Sequence, residues 1–488
     1  MSLLALAGTN SAASGSYDID NSCKFEAANV EYLTRTPSSD SNRQKFTTSL
    51  WVKRSKIGLD VSGAYQTLFG AQPSSGYTNA NTFQWCFTAE DKFGLGLQTY
   101  WVIQTNRRFR DTSAWYHIVV RADTTQPFSH NRLRVYVNGV QDTSFSVNAL
   151  SNIAEDQLFG VNHTTRHQIG SLIANSWHSS NYIAEVNHID GQSYSASEFG
   201  EFDEDSGIWK PKKYTGTYGT NGFYLNFKNA SDLGEDQSGN NNDWAKHNIT
   251  SADQSTDTPT NNFCTLNVLN ASSKNAGGNN EYTEGATKGK ALQVSEMASG
   301  TMAVNQGKWY YECKAVSNSE IMAGYGVPNL WGHHTSNPGY DDYSFAVHNI
   351  GRVYFSGNAF VDLSPSVSFD TNDIVSCAID IDNGFCYWAK NGTWMSGGVP
   401  TSGSTGTGGF DFQSASAPGN LAIEDGDFLI PAFRTNYYTN SAVLVNFGGY
   451  TTISISSAAS DADGYGTFEY APPSGYYSLC SKNLAEYG

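Results

Sequence analysis

The run IVSCAIDIDNGFCYWAKNGTW, residues 374–394, sets Ser376, Ala378 and Asp380 between apolar residues from Val375 to Ile381. That period of two predicts a half-buried strand. Asp382-Asn383-Gly384 follows, residue types that tolerate positive φ and let the chain reverse tightly. The aromatic-rich Phe385–Ala389 predicts the returning strand, and Asn391-Gly392 a second turn before Trp394. The expectation is a β-hairpin with an aromatic face.

Outward from the hairpin the same pattern recurs. The chain has 488 residues, enough for two or three domains, with Gly 47, Tyr 28, Phe 26, Trp 11 and only 15% charged residues. Helical heptads are missing and turn residues are abundant, which predicts an all-β protein. Toward the N-terminus, Lys24–Thr34 alternates weakly, as an edge strand would. Phe46–Lys53 alternates cleanly, with Phe46, Thr48, Leu50 and Val52 on one face. Trp115–Ala122, Leu133–Val137 ahead of Asn138-Gly139, Gln168–Leu172, Tyr182–Ile189 and Gly222–Asn226 add short strands between turns. The expected architecture is two antiparallel jelly-roll or β-sandwich domains in tandem, at 17–229 and 263–450. Residues 230–262 are polar and broken, and read as a linker or an arm lying over the first domain. Residues 451–488 form an aromatic C-terminal segment expected to pack back. Residues 1–16 form an extension whose Leu3, Leu4 and Leu6 suit a docking peptide.

The formal net charge is −17, which disfavours nonspecific binding to nucleic acid and to anionic membranes. No run approaches the ~20 apolar residues of a membrane helix, so membrane insertion is not expected. The cysteine count is 7, odd and scattered, with no C-x-x-C pair; this argues against zinc and against a disulfide framework. Cys377 and Cys386 flank the hairpin turn and are expected close together, buried as small apolar residues in a protein folded in a reducing cytoplasm.

Family resemblances enter on these residues. Residues 373–394 resemble the signature hairpin of the SPRY (B30.2-like) family. Gly307–Glu312 (GKWYYE), Met322–Val327 (MAGYGV), Asp342–Ser356 and Leu429–Asn436 (LIPAFRTN) resemble its other strands, in order. The first half is similar to laminin-G/concanavalin A-like jelly rolls, through Ser49–Arg54 (SLWVKR), Trp115–Val119 (WYHIV), Val135–Gly139 (VYVNG) and Ile183–Val186 (IAEV). Asp236–Trp244 (DQSGNNNDW), Asn261–Asn267 (NNFCTLN) and Tyr470–Tyr476 (YAPPSGY) complete an arrangement that resembles a group of tailed-bacteriophage virion proteins. The resemblance implies a virion structural protein made in the bacterial host cytoplasm, a fibre or appendage component that is a homotrimer. Its implied partners are other virion proteins, of capsid or tail, and a host-surface glycan or receptor. A head fibre or capsid decoration protein is the architectural alternative, and a polysaccharide depolymerase a lesser one.

Chemistry is sparse. Glu201, Asp203 and Asp205 would share one face if extended, as glycosidase carboxylates do, but Ser195–Glu198 reads as a cap and Gly207 and Pro211 break the run. Asp236, Asn240 and Asp243 crowd oxygens that could hold Ca²⁺, the one cofactor the sequence permits. Asp380, Asp382 and Gly384 mimic an EF-hand start, but Asn391 stands where the closing Glu belongs. His333-His334 has no carboxylate at metal spacing, and no G-x-S-x-G, P-loop or H-E-x-x-H occurs. No enzyme is expected. What remains is recognition: Trp101, Trp177, Trp331, Tyr340 and Tyr437 fall in or near predicted loops and suit stacking on sugar faces.

Overall fold

In the computed structural model, Ile374–Asp380 pairs antiparallel with Phe385–Lys390, Val375 opposite Lys390 and Asp380 opposite Phe385. Gly384 closes the turn at φ 76°. The strand differs from expectation in one respect: all of Ile374–Asp380 is buried, not one face. On one side, Trp388 Nε1 of the hairpin donates to the Ala323 carbonyl at 3.1 Å, and neighbouring Tyr311 OH to that of Gly324 at 3.1 Å, joining the two sheets. On the other side, Ala378 packs with Tyr310, Tyr387, Phe468 and Tyr476. The C-terminal segment supplies that second cover, with Tyr477–Ser478 pairing parallel to Lys308–Val316.

The structure describes residues 17–60, 63–98, 100–172, 177–269, 281–290, 297–316, 320–328, 337–357, 359–364, 367–413, 421–435 and 441–488. The chain divides into two units, residues 13–260 and 261–488. Both are antiparallel sandwiches, and the protein is all-β.

In the first unit one sheet runs in the order Val140–Asp142, Leu133–Val137, Trp115–Asp123, Lys45–Arg54, Asn181–Asp190, Ser22–Phe25, Gln254–Ser255, with Phe223–Leu225 also on Asn181–Asp190. The facing sheet runs Phe145–Asn148, Trp101–Arg108, Lys92–Gly96, Phe83–Phe87, Gln66–Ala71, His167–Ile169, Tyr32–Arg35, Ala245–His247. Phe46, Leu50 and Val52 enter the shared core with Phe69, Trp85 and Ile183. Thr48, on that face, bonds His188 Nδ1 at 2.8 Å through its hydroxyl. Asn138 and Gly139, at φ 47° and 82°, make the tight turn that their type demands.

Lys24–Thr34 is not one edge strand. Ser22–Phe25 and Tyr32–Arg35 lie in opposite sheets, and Val30 at φ 59° helps turn the chain across. The weak alternation reflects that crossing, where Lys24 and Glu31 are buried against each other at 2.9 Å.

Of residues 230–262, read as linker or arm, 230–260 are part of the first unit and 261–262 of the second. Trp244 is buried edge-on to Phe223 at 4.8 Å, Ala245–His247 extends one sheet, and Gln254–Ser255 the other. Asp253 and Asp257 reach buried Lys24 and Lys53 at 2.8 and 2.6 Å.

In the second unit the larger sheet runs Glu281–Thr283, Lys288–Lys290, Ala442–Asn446, Lys308–Val316, Ile374–Asp380, Phe385–Lys390, Thr393–Trp394. The other runs Met297–Ser299, Ile430–Thr435, Ile321–Gly326, Ser344–His348, Arg352–Phe355, Ala359–Asp362. Every cysteine is buried and unbridged, with the Cys377 and Cys386 sulfurs 3.6 Å apart.

Candidate functional site

Trp101 opens the strand Trp101–Arg108, while Trp177 stands in the connection before Asn181–Asp190 with φ 61°. The fold brings them together on Tyr65, whose ring lies 5.3 Å from Trp101 at 69° and 5.1 Å from Trp177 at 83°. All three are half-buried. The strand Lys92–Gly96 makes the seat for Trp101, because a Cβ on Gly94 would stand 2.9 Å from its Cζ3 and one on Gly96 3.0 Å from its Cε3. Rings set edge to face, half open to water, form an aromatic shelf of the kind that stacks on the apolar face of a sugar. Tyr65 was not legible as part of it; it precedes Gln66–Ala71 with no motif of its own.

Tyr340 belongs to a separate strip in the second unit. Its ring lies 5.4 Å from Tyr354, which lies 5.8 Å from Phe360; the Arg352 guanidinium covers Phe360 at 4.2 Å. Phe360 lies on Ala359–Asp362, the last strand of its sheet, exposed along its length. Trp331, Tyr437, His333-His334 and the docking candidates Leu3, Leu4 and Leu6 lie outside the described residues.

Of the carboxylate candidates, Asp203 is engaged in a turn, while Glu201 lies on a strand with Lys210 Nζ at 3.7 Å. Gly200–Phe202 pairs with Trp209–Pro211, and Asp203 caps the connection: its Oδ1 accepts from Ser206 N–H and hydroxyl at 2.9 and 2.9 Å. Lys210 bonds its other oxygen at 3.1 Å. The Ser206 backbone N–H, then its hydroxyl and Lys210, hold the Asp203 carboxyl down to about 2, so it stays ionised and is poorly suited to deliver a proton. Asp205 donates its own N–H to Asp203 Oδ1 at 3.2 Å.

Asp236, Asn240 and Asp243 are brought together as well, by hydrogen bonds that occupy both Asp236 oxygens, one Asp243 oxygen and the Asn240 amide nitrogen. Asp236 accepts from the N–H groups of Tyr224, Ser238 and Asn242 at 2.8, 2.9 and 2.8 Å and from the Ser238 hydroxyl at 2.8 Å. Asp243 Oδ1 accepts from Asp236 N–H at 2.9 Å, and Asn240 Nδ2 donates to the Gly219 and Gly222 carbonyls at 2.7 and 2.9 Å. A cation would have to displace these donors. Among the described residues no group of three or more His, Cys, Asp and Glu is placed to hold a metal ion.

One cluster escaped the sequence reading. Glu185, within Asn181–Asp190, is buried, with φ 52° at a register shift between Ala184 and Asn187. Its Oε1 accepts from Tyr224 OH at 2.7 Å and from Tyr17 OH at 3.1 Å, and the two hydroxyls stand 2.7 Å apart. Burial pushes its carboxyl up to about 7. Glu185 lies in the quoted IAEV motif, but nothing local announces that Tyr17 and Tyr224 converge on it.

With this geometry in hand, known proteins supply the comparison. The model of the concanavalin A-like lectin/glucanases superfamily matches residues 29–172, and that of the SPRY domain residues 308–420. No curated protein matches the chain. Among solved structures, the TRIM65 PSpry domain is 14% identical with a TM-score of 0.26, over 37% of this chain and 91% of its own. The SPRY domain of human HERC1 is 18% identical with a TM-score of 0.21, over 33% of this chain and 82% of its own.

Proposed function

We propose, from a laminin-G/concanavalin A-like domain followed by a SPRY domain, that this is a recognition protein that binds glycan without cleaving it. The observation that carries the reading is the shelf of Tyr65, Trp101 and Trp177, two of whose rings the sequence singles out for sugar stacking. The carboxylates at 201–205 support binding over bond cleavage, since Asp203 is tied into its own turn. The finer proposal is a fibre or appendage component of a tailed-bacteriophage virion that attaches to host-surface glycan or protein. It rests on the ordered motifs around the two domains. A homotrimer would turn weak single-site affinity into useful avidity.

The test is glycan-array binding of the full chain beside Trp101→Ala and Trp177→Ala. Stacking contacts of this kind contribute about 0.5–1.5 kcal/mol each, so either variant loses about twofold to tenfold in affinity for whatever the parent binds. Equal binding by parent and variants removes the shelf from the account.

One observation favours a second, architectural reading, as a head fibre or decoration protein. The strand Ala359–Asp362 is an exposed edge carrying Phe360 at 46% and Val361 at 38% exposure, the type of surface a subunit contact covers. Binding to capsid or tail proteins, lost on Val361→Lys and with no affinity for glycans or cells, supports that reading against the first.

A further inference from the structure

Beside the Glu185 cluster the first unit has a cavity of about 370 Å³, and none of its lining residues belongs to the shelf. Tyr17, Glu185, Lys213, Tyr214, Tyr218 and Tyr224 line it, with Asp18, Asp20 and Lys228 also on its wall. Phe223 and Leu225 enter the core, so Tyr224 between them faces the opposite side of the sheet, where the cavity opens.

The backbone is bent to build it. Glu185 takes a left-handed conformation inside a long strand, which costs about 1–2 kcal/mol for a residue with a side chain. The register shift there leaves the carboxyl among tyrosine hydroxyls. Strain of this kind is stored where a side chain must be aimed. Next to it, Tyr218 OH donates to Asn187 Oδ1 at 2.8 Å, its ring 6.2 Å from Tyr224 at 14° and 5.2 Å from Tyr214 at 77°.

The wall chemistry selects the ligand. Carboxylates, ammonium groups, phenols and amides stand around one small space, so it offers donors and acceptors together. A net anion meets Asp18, Asp20 and Glu185; a net cation meets Lys213 and Lys228. Lys228 and Asp20 also approach each other to 3.6 Å, both largely exposed, which moderates the charge on that side. An apolar ligand would strand the polar wall without partners. A neutral ring bearing several hydroxyls satisfies both kinds of group and lies against the tyrosine faces.

We infer that this cavity is a second carbohydrate site, which takes a single neutral sugar residue between the tyrosines and the Glu185 carboxyl. It extends the glycan-binding reading above to a separate set of residues, so the two stand or fall independently.

Saturation-transfer NMR on the full chain with glucose, galactose, mannose and N-acetylglucosamine tests it. At least one sugar binds, and Lys213→Ala and Tyr224→Phe each weaken it about tenfold. Lys213→Ala leaves the core untouched, which keeps the test valid if Tyr224→Phe loosens the strand. The double variant Trp101→Ala/Trp177→Ala retains this binding while losing the array ligand. The inference is overturned if no sugar binds. It is equally overturned if binding survives both cavity variants or disappears in the double tryptophan variant. Failure of the array test alone leaves this site standing and removes only the shelf.

Discussion

In the first unit Lys24, Lys53 and Arg54 are buried against carboxylates, whereas in the second Glu312 is buried among neutral donors. In the first, Lys24 bridges Glu31 and Asp253 at 2.9 and 2.8 Å, Lys53 meets Asp257 at 2.6 Å, and Arg54 meets Asp91 at 2.8 Å, all buried. In the second, fully buried Glu312 accepts from Tyr310 OH at 3.1 Å, Asn446 Nδ2 at 3.1 Å, and the Glu469 and Tyr470 N–H groups at 3.0 and 2.8 Å. The task is the same in both. A late segment is tied to early strands: Asp253 and Asp257 to Ser22–Phe25 and Lys45–Arg54, and Glu469–Tyr470 to Lys308–Val316. The difference teaches how each tie fails. An ion pair that loses one partner strands a buried charge, while a carboxyl ringed by neutral donors loses one bond among several.

The largest expected effect follows from that asymmetry. Lys53→Met leaves Asp257 charged and buried, with Trp115 Nε1 at 3.0 Å still donating to it, and costs about 3–5 kcal/mol. Hydrogen exchange on the full chain reads it as lost protection in the first unit alone. Lys53→Met/Asp257→Leu recovers most of it, because no charge is left behind; failure to recover breaks the ion-pair account.

Next comes pH. Burial pushes Glu185, in the first unit, up to about 7 from a usual 4.5. Between these values the folded unit holds protons that the unfolded chain has released. Stability of the first unit therefore falls as pH rises from about 4.5 to 7 and levels off above, by about 3 kcal/mol from this group. Urea unfolding across that window measures the fall, and Glu185→Gln removes its share. A profile that rises with pH contradicts the assignment.

Glu312→Gln sharpens the comparison from the other side. The Glu469 and Tyr470 N–H groups bond different oxygens, so the amide leaves one of them facing an NH2 group, yet no ion is stranded, and the cost is about 1–2 kcal/mol, below that of Lys53→Met. The order of these two costs is the point; a reversal defeats the contrast. The smallest effect concerns the thiols. Burial raises Cys86 and Cys386 above the ordinary thiol range, and a thiol reagent leaves all seven cysteines unmodified until the units unfold.

Local pattern carried the hairpin at 374–394 and the clean strand at 46–53, because turn chemistry and period two are properties of adjacent residues. Burial on the second face of Ile374–Asp380 was not legible, since its cover, Phe468 and Tyr476, comes from the far end of the chain. The burial of Lys24 and Glu31 was hidden for the same reason: the partner that accompanies them inside is Asp253. In the site, Trp101 and Trp177 were legible as loop aromatics, but their meeting on Tyr65 depends on strand order. Glu185 was hidden more deeply, by a bulge that alternation alone does not foretell. Residue type pointed to recognition, and only long-range pairing placed the groups that would perform it.

The most direct test of glycan binding without cleavage is sedimentation of the full chain with bacterial envelopes, with reducing sugar assayed in the supernatant. The account predicts depletion of the parent protein, no released sugar, and loss of depletion in Trp101→Ala/Trp177→Ala. Depletion accompanied by sugar release, or depletion undiminished in the double variant, would contradict it.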